Sequence, residues 1–308
     1  MPPGIFFSID VILHFMKRLT SVITVVILLS SCEKNITLKL NSVDNVLVVD
    51  GSIENGKAPV IVLTKSIGFF SSISPKILDS SFVHNAVVTI SNGTLTQQLK
   101  EYTYDLGNGF HLYQYSIDSS NLASTFTGEI NTTYTLNINS EGKNYTSVTT
   151  IPAYGETLDS LWWNPLPFDK DSTQIVLLGK FTDPPGLGNY SRYFTKVNSE
   201  GFLPGRNSVF DDEVVDGTTY QFHVDPGIDR NNKPPADSNY FKKGDTITVK
   251  LCSIDKATFT FWNTWEFAYQ SIGNPFAQPN QVIGNINNGA LGAFCGYAAV
   301  YKSIIIPK

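Results

Sequence analysis

The residues best suited to bind a cation lie in the stretch FDDEVVDG (210–217), which gathers Asp211, Asp212, Glu213 and Asp216. Calcium takes roughly six to eight oxygen ligands, so such a loop is a candidate calcium site. It lacks the regular EF-hand spacing, and a solvated acidic loop is the competing reading. Sulfur chemistry rests on three cysteines, Cys32, Cys252 and Cys295. Cys32 closes an apolar run, whereas Cys252 and Cys295 sit in strand-like segments. In an exported chain a Cys252–Cys295 disulfide is one reading, and two buried free thiols the other. The four histidines, His14, His84, His111 and His223, are scattered, and the last three fall in or beside strand-like segments. The sequence holds no His-Glu-x-x-His helix, no Gly-x-Ser-x-Gly turn and no phosphate-gripping glycine loop, so no catalytic residue and no cofactor is expected. Aromatics offer a stacking platform at Trp162 and Trp163, and at the alternating Tyr102, Tyr104, Tyr113 and Tyr115. Packing into the core is the plainer role for rings of that size.

The apolar run before Cys32 reads LTSVITVVILL (19–29) and follows Met16-Lys17-Arg18. A basic start, a short apolar stretch and small residues before a cut describe an export signal. The stretch is too short to span a bilayer, which needs about 20 apolar residues. Leu29-Ser30-Ser31-Cys32 resembles the bacterial lipobox, in which the thiol forms a thioether to a diacylglycerol. Several acyl chains at about 0.8 kcal/mol per buried methylene anchor stably where one does not. Residues 1–31 are therefore expected to be a lipoprotein signal with its true start at Met16. Cys32 becomes the lipidated amino terminus, and 32–44 a tether.

Composition points the same way. Charged residues make up 16% of the chain, against roughly 25% in typical soluble proteins. The formal net charge is −5 and no basic run occurs, which argues against nucleic acid as a partner. Tyr, Phe, Thr and Ser are plentiful, as in β-structure.

Strand patterns recur along the chain. NVLVVDGSI (45–53) and APVIVLTKS (58–66) flank the turn Glu54-Asn55-Gly56, and NAVVTIS (85–91) runs into the hairpin signal Asn92-Gly93. In TYTLNINSEGKNYTSVTTI (133–151), Tyr134, Leu136 and Ile138 alternate with polar residues, and Glu141-Gly142 turns the chain. These strands predict an immunoglobulin-like β-sandwich over 45–152. AYGETLDSLWWNPLPFDKDS (153–172) reads as a linker to a second β-rich domain over 153–308, a sandwich or partly closed barrel. Its strands lie at 173–183, 191–198, 218–224 and 245–254, and its one aromatic helix at about 256–271, capped by Asp255. The small, apolar GAFCGYAAVYKSIIIP (292–307) suits a central, closely packed strand.

LVVDGSI, YSRYF, GDTITVKLCSIDKATFTFW, GNPFAQP and GALGAFCGYAAVY together resemble a family of uncharacterised lipoproteins from Bacteroidota, catalogued as domain of unknown function 4249. The likeness covers nearly the whole chain after Cys32. It implies an outer-membrane lipoprotein that works beside a TonB-dependent receptor, without catalytic residues to carry over. Surface export in that phylum favours acidic residues after the lipid cysteine, and only Glu33 stands there before Lys34. The expected function is a non-catalytic accessory or substrate-capture subunit, with the membrane and a TonB-dependent receptor as partners. An envelope enzyme acting on glycans or peptides, or a structural or adhesive surface protein, are the alternatives.

Overall fold

The computed structural model describes residues 45–67, 74–121, 125–166, 173–230, 240–274, 276–278 and 280–308, together with Met16 and Arg18. The rest of the expected signal, with Cys32 and the 32–44 tether, lies outside the described residues. Val43–Lys308 forms one compact unit. It is mainly β, and none of its sheets closes into a barrel.

The first strands are β1 (Leu47–Glu54), β2 (Val60–Lys65), β3 (Val87–Ser91), β4 (Thr96–Gln98), β5 (Lys100–Gly107), β6 (Phe110–Ser116), β7 (Thr132–Ser140) and β8 (Lys143–Ile151). A short helix, α1 (Pro75–Ser81), interrupts them and is capped by the Ser74 hydroxyl, which accepts from the Ile77 N–H. The second set comprises β9 (Thr157–Pro165), β10 (Gln174–Thr182), β11 (Tyr190–Val197), β12 (Leu203–Asp211), β13 (Thr219–Val224), β14 (Phe241–Lys242), β15 (Thr246–Ile254) and β16 (Leu291–Ile305). Helix α2 (Lys256–Gln270) lies between β15 and β16.

Hairpins form where local chemistry dictates. Glu141 and Gly142 both take positive φ, 52° and 76°, the geometry whose twist matches the β7–β8 ladder. Asp255 caps α2 by accepting from the Thr258 N–H. Its other carboxylate oxygen accepts from Thr149 and Thr150, tying the helix start to β8.

Eight strands make one sheet in the order β12-β11-β15-β16-β1-β2-β6-β5. Strand β16 holds it together, because its first half pairs parallel with β1 and its second half antiparallel with β15. The two expected modules thus share one sheet. Their cores remain separate: one joins β1, β2 and β6 to the sheet β4-β3-β7-β8, and another joins β11, β15 and β16 to the sheet of β9, β10, β13 and β14. Alternation along β16 sets the faces. Phe294, Ala298, Val300 and Ile304 point to the two small sheets, whereas Ala293, Cys295, Tyr297 and Ala299 point to α2.

One expectation is corrected here, and one pair of alternatives is decided. Trp162 and Trp163 do not lie in a linker; they belong to β9, which pairs with β10 across a bulge between Lys180 and Phe181. The bulge breaks the period-two pattern that would have revealed the strand. Cys252 and Cys295 are free and buried. Cys252 sits beside Ala299, four residues along β16 from Cys295, so their Cα atoms are roughly 13 Å apart. A disulfide needs about 4.4–6.8 Å. Burial pushes both thiols up to about 12. No helix among the described residues is long and apolar enough to cross a membrane.

Candidate functional site

The polar side chains that the large sheet presents toward α2 surround a cavity of about 610 Å³. On β1, Asp50, Ser52 and Glu54 occupy alternate positions and share one face. Strand β11 adds Arg192 and Phe194, β15 adds Lys250, and β16 adds Tyr297. Helix α2 closes one side with Trp262, Trp265 and Tyr269, spaced so that one stripe of the helix faces the sheet. Arg230 and its neighbours in the loop after β13 complete the rim.

Arg192 is the centre of this arrangement and is 2% exposed. Its Nε donates to the Ser208 hydroxyl at 3.1 Å, and its Nη1 donates to the Tyr297 phenol at 3.0 Å. The guanidinium lies 3.5 Å from the ring centre of Trp262 and 4.7 Å from that of Phe194. Among the described residues no carboxylate makes an ion pair with it. Ring quadrupoles and neutral oxygens therefore hold a buried charge, an arrangement suited to arginine because its guanidinium is weakly hydrated. Trp262 also donates to the Tyr297 oxygen, at 2.9 Å, so two donors fix that phenol. Burial raises the Tyr297 hydroxyl well above its ordinary range.

A second pair pins the helix. Glu266 of α2 is 4% exposed and accepts from the Ser208 N–H and hydroxyl at 2.9 and 2.5 Å, and from Arg230 at 3.1 Å. A third group sits at the other end of the cavity. Glu54 pairs with Lys250 and Lys57 and accepts from the Tyr301 hydroxyl. Burial opposes charge on Glu54, but the donors from Lys250, Lys57 and Tyr301 outweigh it and hold the carboxyl below its ordinary range.

Asp50 differs from all of these. No hydrogen bond reaches its carboxylate among the described residues. Its side chain is accessible to a water-sized sphere, yet many protein atoms surround it; both hold because the water it meets is in the cavity. Desolvation raises its carboxyl, and Arg192 opposes the shift. A perturbed, unpartnered carboxylate in a concave site is a candidate ligand contact.

The sites read from sequence are placed elsewhere. Asp212 and Asp216 do come together, but with Asp183 rather than with Asp211 and Glu213: the carboxylate oxygens of Asp183, Asp212 and Asp216 all lie within 4.8 Å of one another. Asp211 instead accepts from the Glu213 N–H. His84 pairs with Glu101 at 2.5 Å and packs edge-on to Tyr113, and His111 pairs with Asp79 at 3.2 Å. His223 lies on β13, opposite Leu178. Tyr115 is buried, its hydroxyl donating to the Val83 carbonyl. Cys32 lies outside the described residues. Sequence reasoning missed Asp50, Arg192 and Lys250. The signal was faint, because a lone charge within a strand pattern reads the same as an ordinary solvent-facing residue.

The family model of the domain of unknown function DUF4249 matches residues 33–303. The chain belongs to this family. A search of the curated proteins gives no match. The cavity of this DUF4249 chain is built from strands at both ends of the matched span, β1 and β16, so the domain forms it as a whole.

Proposed function

We propose that this DUF4249 protein is an exported lipoprotein, anchored at the bacterial outer membrane through Cys32. It captures a small polar molecule for a TonB-dependent transporter and does no chemistry on it. The cavity beneath α2, with the unpartnered Asp50 carboxylate inside it, carries this reading. Asp50, Glu54 and Asp229 balance Arg192, Arg230 and Lys250 around the lining, so a ligand without strong net charge suits it best. Trp262, Trp265 and Tyr269 supply apolar contact, and Asp50 accepts a hydrogen bond from the ligand.

An envelope enzyme acting on glycans or peptides is the weaker reading. Paired carboxylates for glycoside hydrolysis stand roughly 5–9.5 Å apart. Asp50 and Glu54 are four positions apart on one strand, about 13 Å at Cα, and Glu54 is already ion-paired. A purely adhesive role leaves a cavity of this composition without a use.

The test has two arms. Purification of the native complex from detergent-solubilised envelopes is expected to recover a TonB-dependent barrel, and recovery without one overturns the transport role. Metabolic labelling with an alkynyl fatty acid is expected to mark the wild-type protein and not Cys32→Ala; equal labelling overturns the anchor.

A further inference from the structure

The lining of the cavity beneath α2 leaves one charge of each sign without a counter-ion. Lys250 pairs with Glu54, and Arg230 with Glu266. Asp229 is also engaged. Asp50 and Arg192, both in the lining, remain. Among the described residues no hydrogen bond reaches the Asp50 carboxylate, and no carboxylate pairs with Arg192.

Arg192 has a donor to spare. Its Nε donates to Ser208 and its Nη1 to Tyr297. Nη2 donates to nothing among the described residues. The side-chain nitrogens and oxygens there that are both enclosed and unpartnered are Ser147 Oγ, Glu156 Oε2 and Thr258 Oγ1, so Nη2 is not shut away from solvent. Arg192 is 2% exposed and lines this cavity, and Nη2 therefore opens into it. Burial raises the Asp50 carboxyl and the Arg192 charge opposes that rise. The guanidinium is thus close enough to act on Asp50, although no ion pair joins the two.

A buried charge is costly unless it is paired. An anionic ligand satisfies Arg192 and repels Asp50, and a cationic one does the reverse. A neutral sugar can hydrogen-bond to both but compensates neither charge. A molecule with an ammonium and a carboxylate side by side compensates both at once. The ammonium must carry N–H groups, because Asp50 can only accept. Leu203, Pro204, Ile228 and Trp265 in the same lining suit an apolar body.

We infer that the cavity takes a free α-amino acid with an apolar side chain, its ammonium on Asp50 and its carboxylate on Arg192 Nη2. This rests on the capture role proposed for the cavity and names the class of molecule captured.

The test is calorimetric titration of the full chain in detergent with L-phenylalanine and with L-leucine. Each is expected to fill a single saturable site. Two half-ligands divide the chemistry: phenethylamine keeps the ammonium and 3-phenylpropionate keeps the carboxylate. Both are expected to bind about thirtyfold more weakly than L-phenylalanine, or worse, because each leaves one buried charge unpaired. Asp50→Asn is expected to weaken L-phenylalanine by a similar factor while 3-phenylpropionate binds no more weakly than to the wild type. A merely structural role for Asp50 weakens both. Three results each overturn the assignment: no binding of either amino acid at roughly 10 mM, a half-ligand as tight as L-phenylalanine, or wild-type L-phenylalanine affinity in Asp50→Asn. Methyl α-glucoside, a neutral probe, separates this inference from the reading beneath it. If the glucoside binds and the amino acids do not, the zwitterion falls and the capture role stands.

Discussion

Truncating Glu266 to alanine tests whether the wall of the cavity is held by a buried polar network. Glu266 is 4% exposed, and it is the shared acceptor for the Ser208 N–H, the Ser208 hydroxyl and Arg230. Hydrogen bonds to a charged group contribute about 1.5–3 kcal/mol each. Their simple sum overstates the loss, because the three share one carboxylate and Arg230, 12% exposed at its side chain, regains water once freed. Breaking a buried pair by removing one member costs about 3–5 kcal/mol, and partial rehydration places Glu266→Ala at the lower end, about 3 kcal/mol. Urea unfolding of the wild type, Glu266→Ala, Arg230→Ala and the double variant measures it. The midpoint is expected to fall with an unchanged slope, and the cycle to give a coupling of about 1–2 kcal/mol. A loss below about 1 kcal/mol, or no coupling, refutes the network as the clamp on α2.

Gly292→Ala is expected to prevent folding: the φ is +91° and a Cβ would lie 1.9 Å from the Val49 carbonyl oxygen, and loss of soluble protein is the check. Cys252 and Cys295 are expected to resist thiol reagents in the native state, being buried with their thiols pushed up to about 12. In denaturant two thiols react if Cys32 is lipidated and three if it is free, so a colorimetric count reports the anchor as well. The carboxyl of Glu54 is held below its ordinary range by Lys250, Lys57 and Tyr301 against the effect of burial. Its contribution is therefore present above the ordinary carboxylate pKa and lost as pH falls through the depressed value. Glu54→Gln is expected to be less stable than wild type at pH about 7, with the urea midpoints converging as pH falls below the ordinary carboxylate range. Asp50→Asn is expected to remove ligand binding without lowering the melting temperature of the empty protein at neutral pH, since ionisation of this desolvated carboxyl favours unfolding there.

Local chemistry made much of the fold legible. The Glu141-Gly142 turn, the Asp255 cap and the small, apolar run of β16 each specify their own element, and the structure has all three. Helix α1, seven residues long, carries too short a period to be read. The site was hidden for a different reason. Asp50 reads as one polar residue in an alternating strand, and nothing near it in sequence says that α2 will cover that face. Its surroundings depend on β1 pairing with Leu291–Tyr297, more than 230 residues away. Arg192 and Lys250 look like solvent-facing strand charges until the same sheet assembles. The acidic loop was found, but the carboxylate that meets Asp212 and Asp216 there, Asp183, follows β10 and is distant in sequence.

The parallel join between β1 and β16 also governs the order in which the molecule is built. Strand β1 is made early but has an unfilled edge until Leu291–Tyr297 arrive. Neither half completes its sheet alone, so folding cannot proceed one module at a time as the polypeptide emerges. Until that pairing forms, the chain holds an open ladder of backbone N–H and C=O groups along β1. That open edge is a template for pairing with other chains until β16 locks in.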